Sequence, residues 1–384
     1  MSKTTSQNLS DRPAETRVSA QALVSAYERL GYARAHPAIL QPAEPFLDLS
    51  GEDIRGRMFL TAGPSGEELC LRPDFTIPVS RDYLSSASAG RSQGFCYLGP
   101  VFRDRGTLPG EFLQAGIESF GRTDTAAADA ETLALGLEAT AHFGRKAPEI
   151  RIGDVGLFSA LVAALDLAPA WKRRLVKDFH RKASLEQDLD RLTLGTSRSK
   201  PEYQGVLAAM AGADPKAAHA LVTDLLSIAG ITAVGGRSVA EIADRFLEQS
   251  TLGASAMLPR DTRTLVERFL AITGQPQEAA AAMRKLADEG QLALSAALDL
   301  FESRNVQFAE RGIDPKSITF SSAFGRGMDY YTGFVFELTD GVAAEPLVAG
   351  GRYDDLMTRL GSSLPIPAVG FSVWIERLVA GGAA

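Results

Sequence analysis

An α+β fold, with a mainly antiparallel sheet flanked by helices and interrupted by a mostly helical insertion, is the architecture this sequence predicts. Three observations lead to it. Strand-like segments rich in aromatic and β-branched residues gather toward both ends of the chain. The stretch between them is rich in Ala, Leu and charged helix formers. Strand-like segments follow one another across short loops, as in "GFCYLGPVFRD" and "EFLQAGIESFG". A length of 384 residues is two or three domains' worth of chain, ample for a large core.

The elements follow in order. Residues 1–16 read as a frayed tail, because "MSKTTSQNLSDRPAETR" is polar and lacks the apolar run of a signal peptide. Residues 17–148 form the first part of the core. There "VSAQALVSAYERLGY" has helical apolar spacing up to Gly31, and "FLDLSGEDIRGRMFLTAGPSGEELCLRPDFTIPV" reads as strand, turn and strand. "DAETLALGLEATAHFG" is an apolar helix. Residues 149–312 are the expected helical insertion. In "RSVAEIADRFLEQS", Ser238 and Glu241 have capping-box spacing, and Val239, Ile242, Ala243, Phe246 and Leu247 form one apolar face. Residues 313–384 return to strands in "SITFSSAF", "GFVFELT" and "VGFSVWI", with a helix at "YDDLMTRLG". No internal repeat interrupts this order.

Composition excludes several function classes. A net charge of −7 gives no general affinity for nucleic acid, since a phosphate backbone needs a basic face. No apolar run approaches the roughly 20 residues of a membrane span. Cys70 and Cys96 lie outside any CxxC and read as buried reduced thiols. His36, His142, His180 and His219 are scattered, so no metal site and no cofactor is expected. These features point to a cytoplasmic protein.

Four segments carry chemistry. In "GRGMDYYTGFVFE" a Gly-Arg-Gly turn lets backbone approach a ligand while Arg326 grips a carboxylate or phosphate. On a strand, Tyr330 and Tyr331 would face opposite sides, one lining a pocket and the other packing. A surface Arg beside a buried Tyr pair is an equal reading. In "LRPDFTIPVSR", Asp74 follows a proline and reads as a turn or capping residue or as a site carboxylate. In "EFLQAGIESFG", Gln114 and Glu118 share one face of a strand, a costly pairing unless something polar binds there. "VAGGRYDDL" places a Gly pair near a strand end.

Together and in this order, these segments resemble the catalytic core of histidyl-tRNA synthetase, a class II aminoacyl-tRNA synthetase. "LRPDFT" is similar to that family's LRPE-G-T, "GPVFRD…EFLQAGIESFG" to its motif 2, and "PAVGFSVWIERL" to its motif 3. "RGMDYYTGFVFE" and "GGRYDDL" resemble its histidine-specific motifs. The resemblance spans roughly residues 17–380. It implies that Asp74 and Gln114 hold the ammonium of histidine, Glu118 and Tyr331 its imidazole, and Arg326 its carboxylate. Thr76 and Tyr330 line that pocket. Arg103, counted with the same pocket, and Arg377 match the two arginines that hold ATP phosphates.

The nucleotide half departs from the family pattern. Arg105 replaces an acid, Gly110 stands where a basic residue is expected, and Trp374 occupies a small glycine's place. An indole there is expected to fill the nucleotide's space. A synthetase also continues past motif 3 into an anticodon-binding domain, whereas this sequence stops at Ala384. More specifically, the sequence resembles the regulatory subunits of ATP phosphoribosyltransferase, synthetase paralogues without aminoacylation. This implies a non-catalytic partner of a short catalytic subunit in the first step of histidine biosynthesis. It implies a homodimer within a hetero-oligomer, with histidine as feedback ligand and neither tRNA nor membrane as partner. A working histidyl-tRNA synthetase core and a free-standing histidine-binding paralogue are the alternatives.

Overall fold

The computed structural model describes residues 14–194, 258–341 and 345–380, together with 220, 223 and 224. The chain divides into two compact units, one of Met1–Ala160 with Phe269–Ala384 and one of Leu161–Arg268.

The first unit holds all the strands described. They are β1 (Ala33–Arg34), β2 (Leu40–Pro42), β3 (Leu60–Ala62), β4 (Glu68–Leu71), β5 (Gln93–Phe102), β6 (Glu111–Phe120), β7 (Glu149–Asp154), β8 (Thr273–Gly274), β9 (Ile318–Ser321), β10 (Phe334–Thr339), β11 (Val348–Arg352) and β12 (Ala368–Trp374). Nine of them form one sheet in the order β1-β5-β6-β12-β11-β10-β7-β9-β8, and β2-β4-β3 form a small second sheet. Only the β1–β5 and β7–β9 pairings are parallel. The long β5–β6 hairpin pairs Gln93 with Phe120 and Phe102 with Glu111.

Helices α1 (Ala14–Arg29), α2 (Glu44–Leu49), α3 (Gly51–Arg55), α4 (Thr76–Leu84) and α5 (Thr125–His142) precede β7, and α6 (Val155–Ala164) follows it. The segment "FLDLSGEDIR", expected to begin as a strand, is helical in α2 and α3; Pro45 sits in the first turn of α2, where its missing N–H costs nothing. Helix α5 packs across β10, β11 and β12. A Cβ at its Gly136 would lie 3.2 Å from Phe336 and 3.3 Å from Val348, so those side chains mark the helix-covered face of the sheet.

The second unit contains α7 (Pro169–Asp178), α8 (Lys182–Leu194) and most of α9 (Arg260–Leu270). Its buried residues include Trp171, Leu175, Phe179, Leu185, Leu189 and Leu192. Arg174 donates to the buried Asp188 at 2.6 Å. The Ser238–Glu241 capping box lies outside the described residues.

The insertion boundary expected at 149 falls differently. Glu149–Asp154 is an internal strand, paired antiparallel to β10 and parallel to β9. Helices α10 (Pro276–Gly290) and α11 (Ser295–Glu310) belong to the sheet-containing unit, with α11 packed on α5. A six-residue strand within helix-rich sequence carries little periodic signal, because its alternation of exposed Glu149 and Arg151 with buried Ile150 and Ile152 spans only two repeats.

A buried ion network ties these pieces. Arg304 of α11 donates to Asp129 of α5 at 2.8 Å and to Asp154 of β7 at 2.7 Å. Arg352 of β11 donates to the other oxygen of Asp129 at 2.8 Å and to Asp354 at 2.9 Å. Arg304, Asp129, Asp154 and Arg352 are all buried. Removing one partner strands charges with no water to receive them. Arg304→Ala should therefore lower unfolding stability by about 3–5 kcal/mol in denaturant titrations. A loss below about 1 kcal/mol would show that the network contributes no more than a surface pair.

Candidate functional site

The candidate site lies on the sheet face opposite α5, built over β6 and β12. Register puts Glu118 opposite Gly370 and Gln114 opposite Trp374. The expected common face of Gln114 and Glu118 is present, and both are buried. Two glycines make room for them. A Cβ on Gly370 would come within 1.9 Å of Glu118 Oε2, and one on Gly116 within 2.5 Å of the Tyr97 hydroxyl. No side chain larger than hydrogen fits at either position with the neighbours as placed.

Glu118 is fully buried and held by hydroxyls. Thr76 Oγ1, at the start of α4, donates to Oε1 at 2.8 Å. Tyr353 donates its phenol to Oε2. The Tyr97 hydroxyl sits 3.3 Å from Oε1 and 3.1 Å from the carbonyl oxygen of Phe371. Tyr97 is itself fixed by stacking on Phe75, with ring centroids 4.4 Å apart. Burial pushes the Glu118 carboxyl up to about 8, and the hydroxyls of Tyr353 and Thr76 oppose that rise. Tyr97 and Tyr353 escaped the sequence reading. Tyr353 lies in the quoted "GGRYDDL", but nothing local indicates that its ring reaches a strand more than 200 positions away.

Around Glu118, several buried polar atoms have no hydrogen-bond partner: Asp74 Oδ2, both amide atoms of Gln114, and Arg103 Nη2. Asp74 makes the capping contact that was one of the roles considered for it. Its Oδ1 accepts from the Ile77 backbone N–H at 3.4 Å, while Oδ2 is unsatisfied. Burial raises the Asp74 pKa, with Arg103 acting against the rise. Arg103 is anchored through Nε to the Pro73 carbonyl at 2.7 Å.

Tyr330 and Tyr331 do not flank a strand as expected. They lie in a turn and its exit, and β10 begins only at Phe334. Their rings are therefore on one side, centroids 4.8 Å apart, and both contact Tyr353. The turn lets consecutive side chains converge where a pleated strand would separate them. Arg326 pairs at 3.7 Å with Glu337 of β10, and its buried Nε has no partner.

Beside these residues is a cavity of about 510 Å³ whose wall includes Arg57, Arg103, Arg105, Arg326, Arg377 and Trp374. Trp374 forms part of the wall, with the Arg377 guanidinium 4.8 Å above its ring. The indole ends β12 opposite Gln114, so strand register holds it in the sheet surface. Arg105 also faces the cavity and pairs with Glu376 at 3.6 Å. Gly110 stands apart: its amide carbonyl accepts from Arg103 N–H at 2.8 Å, and a Cβ there would meet Phe59 at 2.9 Å.

Among the described residues no group of three or more His, Cys, Asp or Glu could hold a metal ion. No helix among them is long and apolar enough to cross a membrane. Cys70 and Cys96 are free and buried.

The raised Glu118 pKa links stability to pH. The folded chain retains a proton on Glu118 between the ordinary value of 4.5 and about 8, so stability should fall as pH rises through that window. Thermal unfolding from pH 5 to 8 should show wild type losing stability relative to Glu118→Gln, in which Asp74 is unchanged. Parallel curves would mean that Glu118 ionises normally in the fold.

Comparison with known proteins places this geometry in a family. The model for "Histidyl-tRNA synthetase" matches residues 8–234 and 217–378. A curated protein of Brucella canis, an "ATP phosphoribosyltransferase regulatory subunit", is 41% identical over 345 residues, covering 89% of this chain and 91% of its own. Its namesake from Brucella anthropi is 41% identical over 343 residues, covering 88% and 90%. Among solved structures, an "ATP phosphoribosyltransferase regulatory subunit/histidyl-tRNA synthetase" from Bacillus halodurans shares the fold, with a TM-score of 0.64 at 21% identity over 96% of this chain and 79% of that one. Histidyl-tRNA synthetase from Nostoc sp. PCC 7120 does so with a TM-score of 0.60 at 16% identity over 96% and 70%. The synthetase-like sheet, the motif residues gathered on one of its faces and the identity along nine-tenths of the sequence lead to one conclusion: this chain belongs to the ATP phosphoribosyltransferase regulatory subunits, built on a histidyl-tRNA synthetase-like core.

Proposed function

We propose that this chain is the histidine-responsive subunit of a complex with a short catalytic ATP phosphoribosyltransferase subunit, acting in the first step of histidine biosynthesis. The observation that carries this reading is the set of buried, unpartnered polar atoms of complementary charge around Glu118. Leaving such groups without partners is costly, and a ligand of matching charge relieves that cost. Histidine matches them. Asp74 Oδ2 and Gln114 face its ammonium, Arg326 takes its carboxylate, and Glu118 with Tyr331 takes the two imidazole nitrogens. Thr76 and Tyr330 close the pocket, and Arg103 acts against the rise that burial imposes on the Asp74 pKa.

In this reading the chain itself neither aminoacylates tRNA nor makes phosphoribosyl-ATP. It works as a homodimer within a cytoplasmic hetero-oligomer. Histidine inhibits by preferring the inactive state of the complex, and only by as much as it prefers it.

Two measurements test this. Calorimetry of Glu118→Ala should show histidine affinity reduced about tenfold or more, because a buried imidazole nitrogen is left without its hydrogen-bond partner. Unchanged affinity would place the ligand elsewhere. In an assay of the mixed subunits, Arg326→Ala should require about tenfold more histidine for half-inhibition. Coincident wild-type and Arg326→Ala curves would remove Arg326 from the regulatory site.

A further inference from the structure

Two walls of the proposed histidine pocket are held by one short segment, Arg352 at the end of β11 with Tyr353 and Asp354 after it. Tyr353 gives its hydroxyl to Glu118, and its ring meets those of Tyr330 and Tyr331 with centroids 5.7 and 6.4 Å away. The two residues beside Tyr353 hold Thr332, which follows Tyr331. The Arg352 carbonyl accepts from the Thr332 backbone N–H at 2.9 Å. The Asp354 backbone N–H donates to Thr332 Oγ1 at 3.0 Å. Gly333 lets the two backbones approach, since a Cβ there would lie 3.3 Å from the Arg352 side chain.

This segment is itself fixed. The Tyr353 N–H donates to the Ala368 carbonyl at 2.8 Å. Asp354 Oδ1 accepts from the Ala368 N–H at 2.8 Å and from Arg352 Nη1 at 2.9 Å. Ala368 begins β12, whose Gly370 lies opposite Glu118. Arg352 Nε is taken by the buried Asp129. The tyrosines have no such support of their own. They precede β10, so strand pairing does not place them. On their upstream side the exposed Arg359 donates to the Asp329 carbonyl at 3.1 Å.

We infer that Thr332 is the positioning residue of the imidazole clasp: its hydroxyl, held by the Asp354 N–H, sets where Tyr331 stands relative to Glu118. This rests on the proposed histidine pocket, in which Tyr331 and Glu118 take the two ring nitrogens. One piece of backbone places Glu118 through Tyr353 and Tyr331 through Thr332, so it sets the width of the clasp. Hydrogen bonds weaken steeply with distance and angle, and a pocket whose supporting contacts loosen loses affinity without losing its fold. Valine keeps the branched shape of threonine but cannot accept the Asp354 N–H, which is then left without a partner. Serine keeps the oxygen.

The test is calorimetry of the full chain with histidine for wild type, Thr332→Val, Thr332→Ser, Tyr331→Phe and the double variant of Tyr331→Phe with Thr332→Val. Thr332→Val and Tyr331→Phe should each raise the histidine Kd about fivefold. Thr332→Ser should stay within about twofold of wild type, because the acceptor is retained. In the Tyr331→Phe background Thr332→Val should add less than about twofold, because Thr332 acts through the Tyr331 phenol. Circular dichroism confirms that each variant is folded, and Thr332→Ala takes the place of a Thr332→Val chain that is not. Thr332→Val binding histidine as wild type does overturns the inference. So does a serine variant as weak as the valine one, which would assign the effect to the branched methyl. Additive losses in the double variant overturn it too, since Thr332 would then act on the fold at large. Tyr331→Phe binding as wild type does removes Tyr331 from the clasp and the role of Thr332 with it. Failure of wild type to bind histidine overturns the proposed pocket itself, whereas every other outcome leaves that pocket standing.

Discussion

The buried bridge of Asp129 between Arg304 and Arg352 is the constraint on which the rest of the sheet-containing unit depends. Its members come from α5, β7, α11 and β11, separated in sequence by as many as 223 positions. Desolvating these charges is costly, and only near-ideal geometry offsets the cost. The network therefore favours one arrangement of helices over strands. It also reaches the candidate site through a single peptide: Arg352 points into the network, and the next residue, Tyr353, gives its hydroxyl to Glu118 on the other side of the sheet. Alternation along the backbone makes one short segment serve both layers.

On the site face, space is provided by subtraction. Gly370 and Gly116 clear the floor, and the freed volume admits the Glu118 carboxylate and the Tyr97 phenol. Three hydroxyls then orient that carboxylate, which fixes its lone pairs while leaving it reluctant to ionise. Charge is segregated around it. Asp74 and Glu118 occupy one side and the arginine-lined cavity the other, with Arg103 and Arg326 at the junction.

Much of this could be read along the chain. The α+β class, the β5–β6 hairpin, strands β9, β10 and β12, and the shared face of Gln114 and Glu118 all follow from periodicity, because the pleat and the helical repeat are local. The resemblance of the ordered motifs to the synthetase core located Asp74, Thr76, Arg103, Arg326 and Arg377, which the fold gathers from four separate stretches of chain. Three readings changed. The segment "FLDLSGEDIR" is helical, strand β7 was too short to register within helical sequence, and Tyr330 and Tyr331 converge because they lie before the strand.

By itself, then, the sequence determined most of the helix and strand segments, which residue types lie on one strand face, and which family the motifs resemble. Each of these depends on spacing between near neighbours. Only the tertiary structure decided that Tyr97 and Tyr353 clamp Glu118, that Asp129 joins two distant arginines, and that five guanidiniums share one cavity beside Trp374. Those contacts join residues far apart in the chain, and register and packing set which side chains meet. No local pattern encodes that choice.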